Sequence, residues 1–262
     1  MSKFGILFCG YNMEEYIHQS LAPWVEAKNS NLLGYEFIIS AVCLPFKEYK
    51  DQDIKVDDTL DILIAYRDFN HIQYLFSEPK YCSEADARNL ALKPLLDQGC
   101  DMIILWDADE IATLENIENI LKYVELEKFI SWFRFSYKNY VFDDKTYLAA
   151  PFTPPRLFRV NTNGYKLINF HWDNDITYQS EDCSIKEYQH SLPSKTIPAK
   201  TAFIKHLSWI SNEKSKQKVN YQMAHFNGVC SFAWDDKENK LVWNKEYFAK
   251  TGQPIPEVIR ET

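Results

Sequence analysis

A chain of 262 residues can bury one sizeable core, as a single domain or a domain with an appendage, and 46% hydrophobic with 25% charged residues argues against disorder. Its 29 basic and 37 acidic residues leave a net charge of −8, which opposes non-specific binding to nucleic acid or to an anionic membrane, a local basic patch aside. Seven glycines form neither GxxxxGK[ST] nor GxGxxG, which excludes glycine-rich phosphate loops, and six scattered cysteines form no CxxC pair, so neither a zinc knuckle nor a redox motif is signalled.

Phe4 to Cys9 reads as a buried first strand. It is too short for the apolar stretch of a signal peptide, and no later run approaches the roughly 18–20 apolar residues that span a bilayer; the expectation is a soluble, cytoplasmic protein. Gly10-Tyr11-Asn12 then turns the chain into a helix that starts near Met13-Glu14-Glu15 and runs toward Lys28. Tyr35 to Cys43 gives a second buried strand, Asp58 is placed to cap a helix from Thr59 to Arg67, and Ile72 to Phe76 gives a third strand.

The stretch SEADARNLALKPLLDQGCDMIILWDADE, Ser83 to Glu110, is the most informative. Ser83 with Asp86 is a capping-box pattern, Ala87, Leu90, Ala91 and Leu95 recur at helical spacing, and Gly99 is a stop. Met102 to Trp106 is an apolar run that predicts a strand covered on both faces. Asp107 falls at its C-terminal end, the edge at which open α/β sheets bind ligands. If the chain stays extended there, Asp107 and Asp109 point the same way roughly 6.5–7 Å apart, a spacing that suits a divalent cation and a bridging diphosphate. Arg88 carries the fork that suits bidentate phosphate or base recognition; a surface ion pair with Glu84 is the plainer alternative.

Beyond the motif, Thr113 caps a helix from Leu114 to about Glu125, and Phe129 to Tyr137 reads as a strand. Asn163-Gly164 marks a turn after Pro154-Pro155-Arg156-Leu157-Phe158-Arg159. In NFHWDNDIT, Asn169 to Thr177, an extended chain puts His171, Asp173 and Asp175 on one face. Thr201 to Trp209 is extended, and a helix follows from Ser211 or Asn212 to His225, with Lys214, Lys218 and Tyr221 on one face, either to meet phosphates or as a solvated basic surface. Trp234, Trp243, Tyr247 and Phe248 mark the C-terminal stretch.

A helix carrying ARNLAL, then a strand, then WDADE resembles the inverting family 2 glycosyltransferases with a GT-A fold, whose Arg-Asn helix and Asp-x-Asp motif stand in these positions. GYNMEEYIHQSLAPW resembles that family's opening. PRLFR followed by a His and an acid resembles a subgroup related to lipopolysaccharide-core glucosyltransferases. The likeness covers most of residues 3 to 225. It implies an α/β GT-A domain over residues 1–210, a mixed and mostly parallel sheet flanked by helices, with a helical C-terminal extension over 211–262 packed on it.

The implied activity is sugar transfer with inversion from a nucleotide-diphosphate donor, a UDP-sugar by preference, aided by Mn2+ or Mg2+. Tyr11, Asn12, Glu14, Arg88, Asp107 and Lys218 are then donor-site residues, and Asp107, Asp109 and His206 metal ligands. An inverting transferase also needs a carboxylate to take the acceptor's proton. Asp173 is the first choice, with Asp182 and Asp175 as rivals. The acceptor, whether glycan, lipid, protein or modified nucleobase, stays open. Two departures stand out: no aspartate follows the second strand, unless Val56 to Asp61 is that motif displaced, and Trp172 stands where the subgroup has its acid. A non-catalytic carbohydrate-binding protein and, less favoured, a nucleotidyltransferase are the competing classes.

Overall fold

A computed structural model describes residues 2–47, 50, 56–78, 81–150, 152–172, 175–180, 186–210, 212–225 and 230–261. The first half of the chain runs β1 (Lys3–Cys9), α1 (Glu14–Asn29), β2 (Glu36–Val42), α2 (Thr59–Asp68), β3 (Tyr74–Phe76), α3 (Glu84–Asp97), β4 (Met102–Asp107), β5 (Glu110–Ile111) and α4 (Leu114–Leu126). Then come β6 (Trp132–Arg134), β7 (Tyr137–Val141), β8 (Thr146–Leu148), β9 (Pro155–Arg159), β10 (Asn161–Thr162), β11 (Tyr165–Trp172), β12 (Asp175–Ser180), β13 (Lys186–Tyr188) and β14 (Ser194–Thr196). The last part holds β15 (Ile204–Trp209), α5 (Asn212–His225), β16 (Phe232–Asp235), β17 (Lys240–Trp243), α6 (Lys245–Thr251) and β18 (Val258–Arg260). No helix among the described residues is long and apolar enough to cross a membrane.

The chain divides into two compact units, the first of Met1–Lys47, Val56–Ser136 and Thr153–Ile204, the second including Tyr137–Phe152 and Lys205–Thr262. The first is α/β. Its seven-stranded sheet has the order β14-β6-β9-β4-β1-β2-β3, in which β3, β2, β1 and β4 are parallel and β9 runs against both β4 and β6. The unbroken apolar runs of β1, β2 and β4 take the central places because both of their faces are covered.

On one face, α1 brings Trp24 edge-on to Trp106, with ring centroids 5.1 Å apart. On the other, Leu7, Ile103 and Leu105 pack with Ala91 and Leu95 of α3 and with Leu167, Phe170 and Tyr178 of β11 and β12. Gly5 permits the close approach of α3: a Cβ there would lie 2.9 Å from Ile103 Cδ1 and 3.0 Å from Leu95 Cδ1.

α3 starts as its capping box predicts. Ser83 Oγ accepts from the Asp86 backbone N–H at 3.1 Å and bonds Asp86 Oδ2 at 2.6 Å. Ser83→Ala is expected to lower unfolding free energy by about 1 kcal/mol, read as a lower urea midpoint at unchanged slope.

Three local expectations are revised. The strand predicted over Phe129 to Tyr137 is two strands, β6 and β7, in different sheets, because the chain leaves the first unit at Ser136. NFHWDNDIT is not one continuous strand: β11 and β12 pair antiparallel with Trp172 opposite Asp175, and across that pairing His171 Nδ1 lies 3.2 Å from Thr177 Oγ1, on the face that Asp175 shares by alternation. Asn163-Gly164, in contrast, turns β10 into β11 as predicted, both residues at positive φ.

A mainly helical extension is predicted after residue 210; α5 and α6 lie there, joined by the antiparallel pair β16–β17 and by β18, which pairs with β8. The β16–β17 pair has a local origin: Asp235 Oδ1 accepts from the N–H groups of Lys237 and Glu238, Asn239 takes φ 49, and Phe232 and Trp243 face each other across the strands with rings stacked at 4.7 Å.

Candidate active site

The parallel strands β1, β2 and β4 end level, with Cys9 beside both Val42 and Asp107. Past that edge the chain turns at Ala108-Asp109 and re-enters a strand at Glu110. The turn is tied on both sides. The Ala108 N–H donates to Cys9 O at 2.7 Å, and the buried Trp106 indole N–H reaches Glu110 O at 2.9 Å and Ser20 Oγ at 3.0 Å. Gly10 makes room for it, since a Cβ there would stand 3.0 Å from the Ala108 Cβ. The motif is therefore not extended: Asp107 stays partly open, with 25% of its side chain exposed, while Asp109 is buried. The indole bond requires this, because it pulls the Glu110 carbonyl back under Trp106.

Two arginines bracket Asp107. Arg156 Nη2 donates to Asp107 Oδ2 at 2.8 Å, and Arg88 Nη2 lies 3.5 Å from Oδ1. Arg88 is 2% exposed and also pairs with Glu84, so the surface ion pair suggested by i, i+4 spacing exists but is buried against the motif. Burial works against the charge on Arg88, and Glu84 with Asp107 outweighs it, holding the guanidinium firmly protonated. The Cys9 thiol beside it is pushed up by burial and stays protonated. Arg156 is anchored from behind by Glu110, whose Oε1 accepts from Nε at 2.9 Å and from Nη2 at 2.6 Å. Glu110 is fully buried, and burial pushes its carboxyl up to about 8 against the pull of Arg156.

The turn after β1 is joined to the N-terminus of α2. Asn12, at φ 54, accepts from the Asp57 N–H at 3.2 Å; Met13 N–H donates to Thr59 Oγ1 at 2.6 Å; Glu14 N–H donates to Asp57 Oδ2 at 3.1 Å. Glu14 Oε2 in return accepts from the Asp58 N–H at 3.0 Å. The helix cap expected of Asp58 is not made: the Thr59 N–H bonds Asp57 Oδ1 at 3.0 Å, one residue earlier. Tyr11 stands beside Tyr81, Cys43 and Asp57, and burial together with these neighbours raises its hydroxyl pKa.

No protein-family model matches the chain, and no curated protein matches it in sequence. Solved structures match in part. Residues 1–349 of S. aureus TarS in complex with UDP-GlcNAc are 16% identical over 90% of this chain and 69% of that one, with a TM-score of 0.45. A further S. aureus TarS structure is 18% identical over 60% of this chain, with a TM-score of 0.39, and the match spans 28% of that protein's length. Mannose-1-phosphate geranyltransferase from Thermus thermophilus is 13% identical over 64% of this chain and 48% of its own, with a TM-score of 0.31.

Of the residues singled out from sequence, Arg88 and Asp107 meet directly, Asp109 lies in the same turn, and Tyr11, Asn12 and Glu14 occupy the same sheet edge. His206 and Lys218 belong to the second unit. There His206 Nδ1 bonds Asn139 Oδ1 at 2.9 Å and its ring lies against Tyr137 and Phe152, while Lys218 Nζ stands 5.3 Å from the centre of the Trp209 ring. Asp175 is engaged locally, accepting from Gln189 Nε2 at 2.8 Å and lying 3.2 Å from His190 Nε2. Asp173 and Asp182 lie outside the described residues, as does the side chain of Lys214.

Arg156 and Glu110 are site residues that the sequence reading does not single out. The available signal is the first of two arginines in the strand PRLFR, and a third acid closing DADE. Among the described residues no group of three His, Cys, Asp or Glu side chains is arranged to hold a metal. The turn offers two carboxylates, and Mg2+ in particular is often held by one or two carboxylates with substrate phosphates and water completing the shell. The donor set fits a cation that arrives with a diphosphate.

Proposed function

We propose that the chain is an inverting glycosyltransferase of the GT-A type, using a metal-assisted nucleotide-diphosphate sugar, with residues 1–210 as the transferase domain. The observation that carries this reading is Asp107 at the C-terminal end of a central parallel strand, level with the ends of β1 and β2 and flanked by the buried Arg88. A strand edge of this kind is where α/β sheets bind ligands. A carboxylate turn beside a guanidinium fork is the donor set that a diphosphate and its counter-cation need.

In this reading Asp107 and Asp109 hold Mn2+ or Mg2+, and the cation supplies stabilisation of charge on the departing diphosphate. Arg88, held protonated between Glu84 and Asp107, is the guanidinium assigned to the donor diphosphate, which it would reach by exchanging a carboxylate partner for phosphate oxygens. Tyr11 is assigned to the nucleoside in this reading, and Asn12 and Glu14 tie the turn that carries it to the start of α2. Asp173, or Asp182 in its place, takes the proton from the acceptor hydroxyl.

The carbohydrate-binding alternative needs exposed rings as sugar platforms. Trp24, Trp106, Trp132 and Trp209 are buried, and Trp209, Phe232 and Trp243 stack on one another instead. A nucleotidyltransferase would want a glycine-rich, basic loop after β1, where this chain has Gly10-Tyr11-Asn12. The test is release of nucleoside diphosphate from a panel of nucleotide sugars with Mn2+ and with chelator. Metal-dependent release from one of them is expected; no release from any would count against the enzyme.

A further inference from the structure

We propose that Arg156 is a positioning residue: braced by Glu110, it fixes the carboxylate of Asp107 for the incoming cation without itself touching the donor. This rests on the transferase reading above.

Three observations carry it. Arg156 is 4% exposed, so its guanidinium is directed into protein and spends its donors on Glu110, Asp107 and the Pro155 carbonyl, the last at 3.3 Å. Its bond to Asp107 at 2.8 Å is much the tighter of the two arginine contacts, Arg88 lying at 3.5 Å. Among the described residues the Glu110 carboxyl is hydrogen-bonded to Arg156: Oε1 takes two bonds from it, and Oε2 is buried with no hydrogen-bond partner.

A buried Arg–Glu pair is a poor way to gain stability, because apolar side chains of similar volume do as well or better. Its geometry explains it instead. β9 runs antiparallel to β4 with Leu157 opposite Ile104 and Phe158 opposite Ile103, so Arg156 enters alongside the C-terminal half of β4. A rigid planar fork can hold Glu110 and Asp107 at once, and lysine cannot. Groups that orient a metal ligand from behind typically change metal affinity by roughly 10–100-fold when lost.

The experiment is calorimetric titration of UDP into wild type, R156K and the apolar double variant E110M/R156M, each with Mn2+ and with chelator. The expected result is a split. UDP affinity in Mn2+ falls about tenfold or more in both variants, while affinity in chelator stays within about twofold and the thermal midpoints of the free proteins stay within about 5 °C of wild type. The double variant keeps the test open if R156K folds poorly.

Either variant, folded and binding UDP in Mn2+ as tightly as wild type, overturns this inference and leaves the transferase reading intact. Two variants that both fail to fold overturn it as well, since the pair is then a requirement of folding. Wild type that binds no UDP under either condition contradicts the transferase reading itself. Wild type whose UDP affinity ignores Mn2+ removes the cation and, with it, the role given to Arg156.

Discussion

Asp107→Asn should fold and lose nearly all transfer. The substitution keeps the side chain's size, and Arg88 and Arg156 retain Glu84 and Glu110 as partners, so neither guanidinium is stranded in the interior. What disappears is the charge at the mouth of the strand edge. Removing a preorganised electrostatic contact of this kind lowers turnover by roughly 10²–10³-fold. The measurement is initial rate of diphosphate release beside a urea melt. An unchanged midpoint with a collapsed rate is expected; a rate within about threefold of wild type would remove Asp107 from the site, given that scale.

The second large effect is structural. Trp106→Ala should destabilise the chain by about 3–5 kcal/mol, the range for emptying a buried aromatic site. Trp106 is fully buried, lies 5.1 Å from the Trp24 ring centre, and carries both hydrogen bonds that hold the motif turn from below. A loss of that size is a large share of the roughly 5–15 kcal/mol that stabilises a typical domain. Trp106→Phe separates the two contributions: it refills most of the volume but leaves Glu110 O and Ser20 without the indole donor. A smaller loss, about 1–3 kcal/mol, is expected from the unmet bonds. Equal midpoints for the two variants would mean that packing is not what the indole provides.

The parts of the site visible in the sequence are those whose cause is local. Ser83 and Asp86 are three residues apart and announce a helix start; Met102 to Trp106 announces a buried strand; Asp107 follows at its end. Arg88 stands out because the helix carrying it ends shortly before that strand.

The brace behind Asp107 is hidden from the sequence for a physical reason. Arg156 and Glu110 are brought together by the antiparallel register of β9 on β4, which depends on pairing between segments about fifty residues apart. Alternation within PRLFR identifies a strand and gives no partner for its first arginine. The antiparallel pairing of β11 with β12 is concealed because the extended pattern runs through both segments. Asp57, rather than Asp58, receives the Thr59 N–H because the turn after β1 holds this segment through Asn12 and Glu14, a tertiary constraint that cap preferences do not contain.

The ends of β1 and β4 are proposed to form a nucleotide-diphosphate site. Titration of UDP into the wild-type chain, with Mn2+ and with chelator, tests it most directly. One site per chain is expected, tightened by the cation and lost in Asp107→Asn. Absence of binding to wild type, for UDP and for every other nucleoside diphosphate tried, would contradict it.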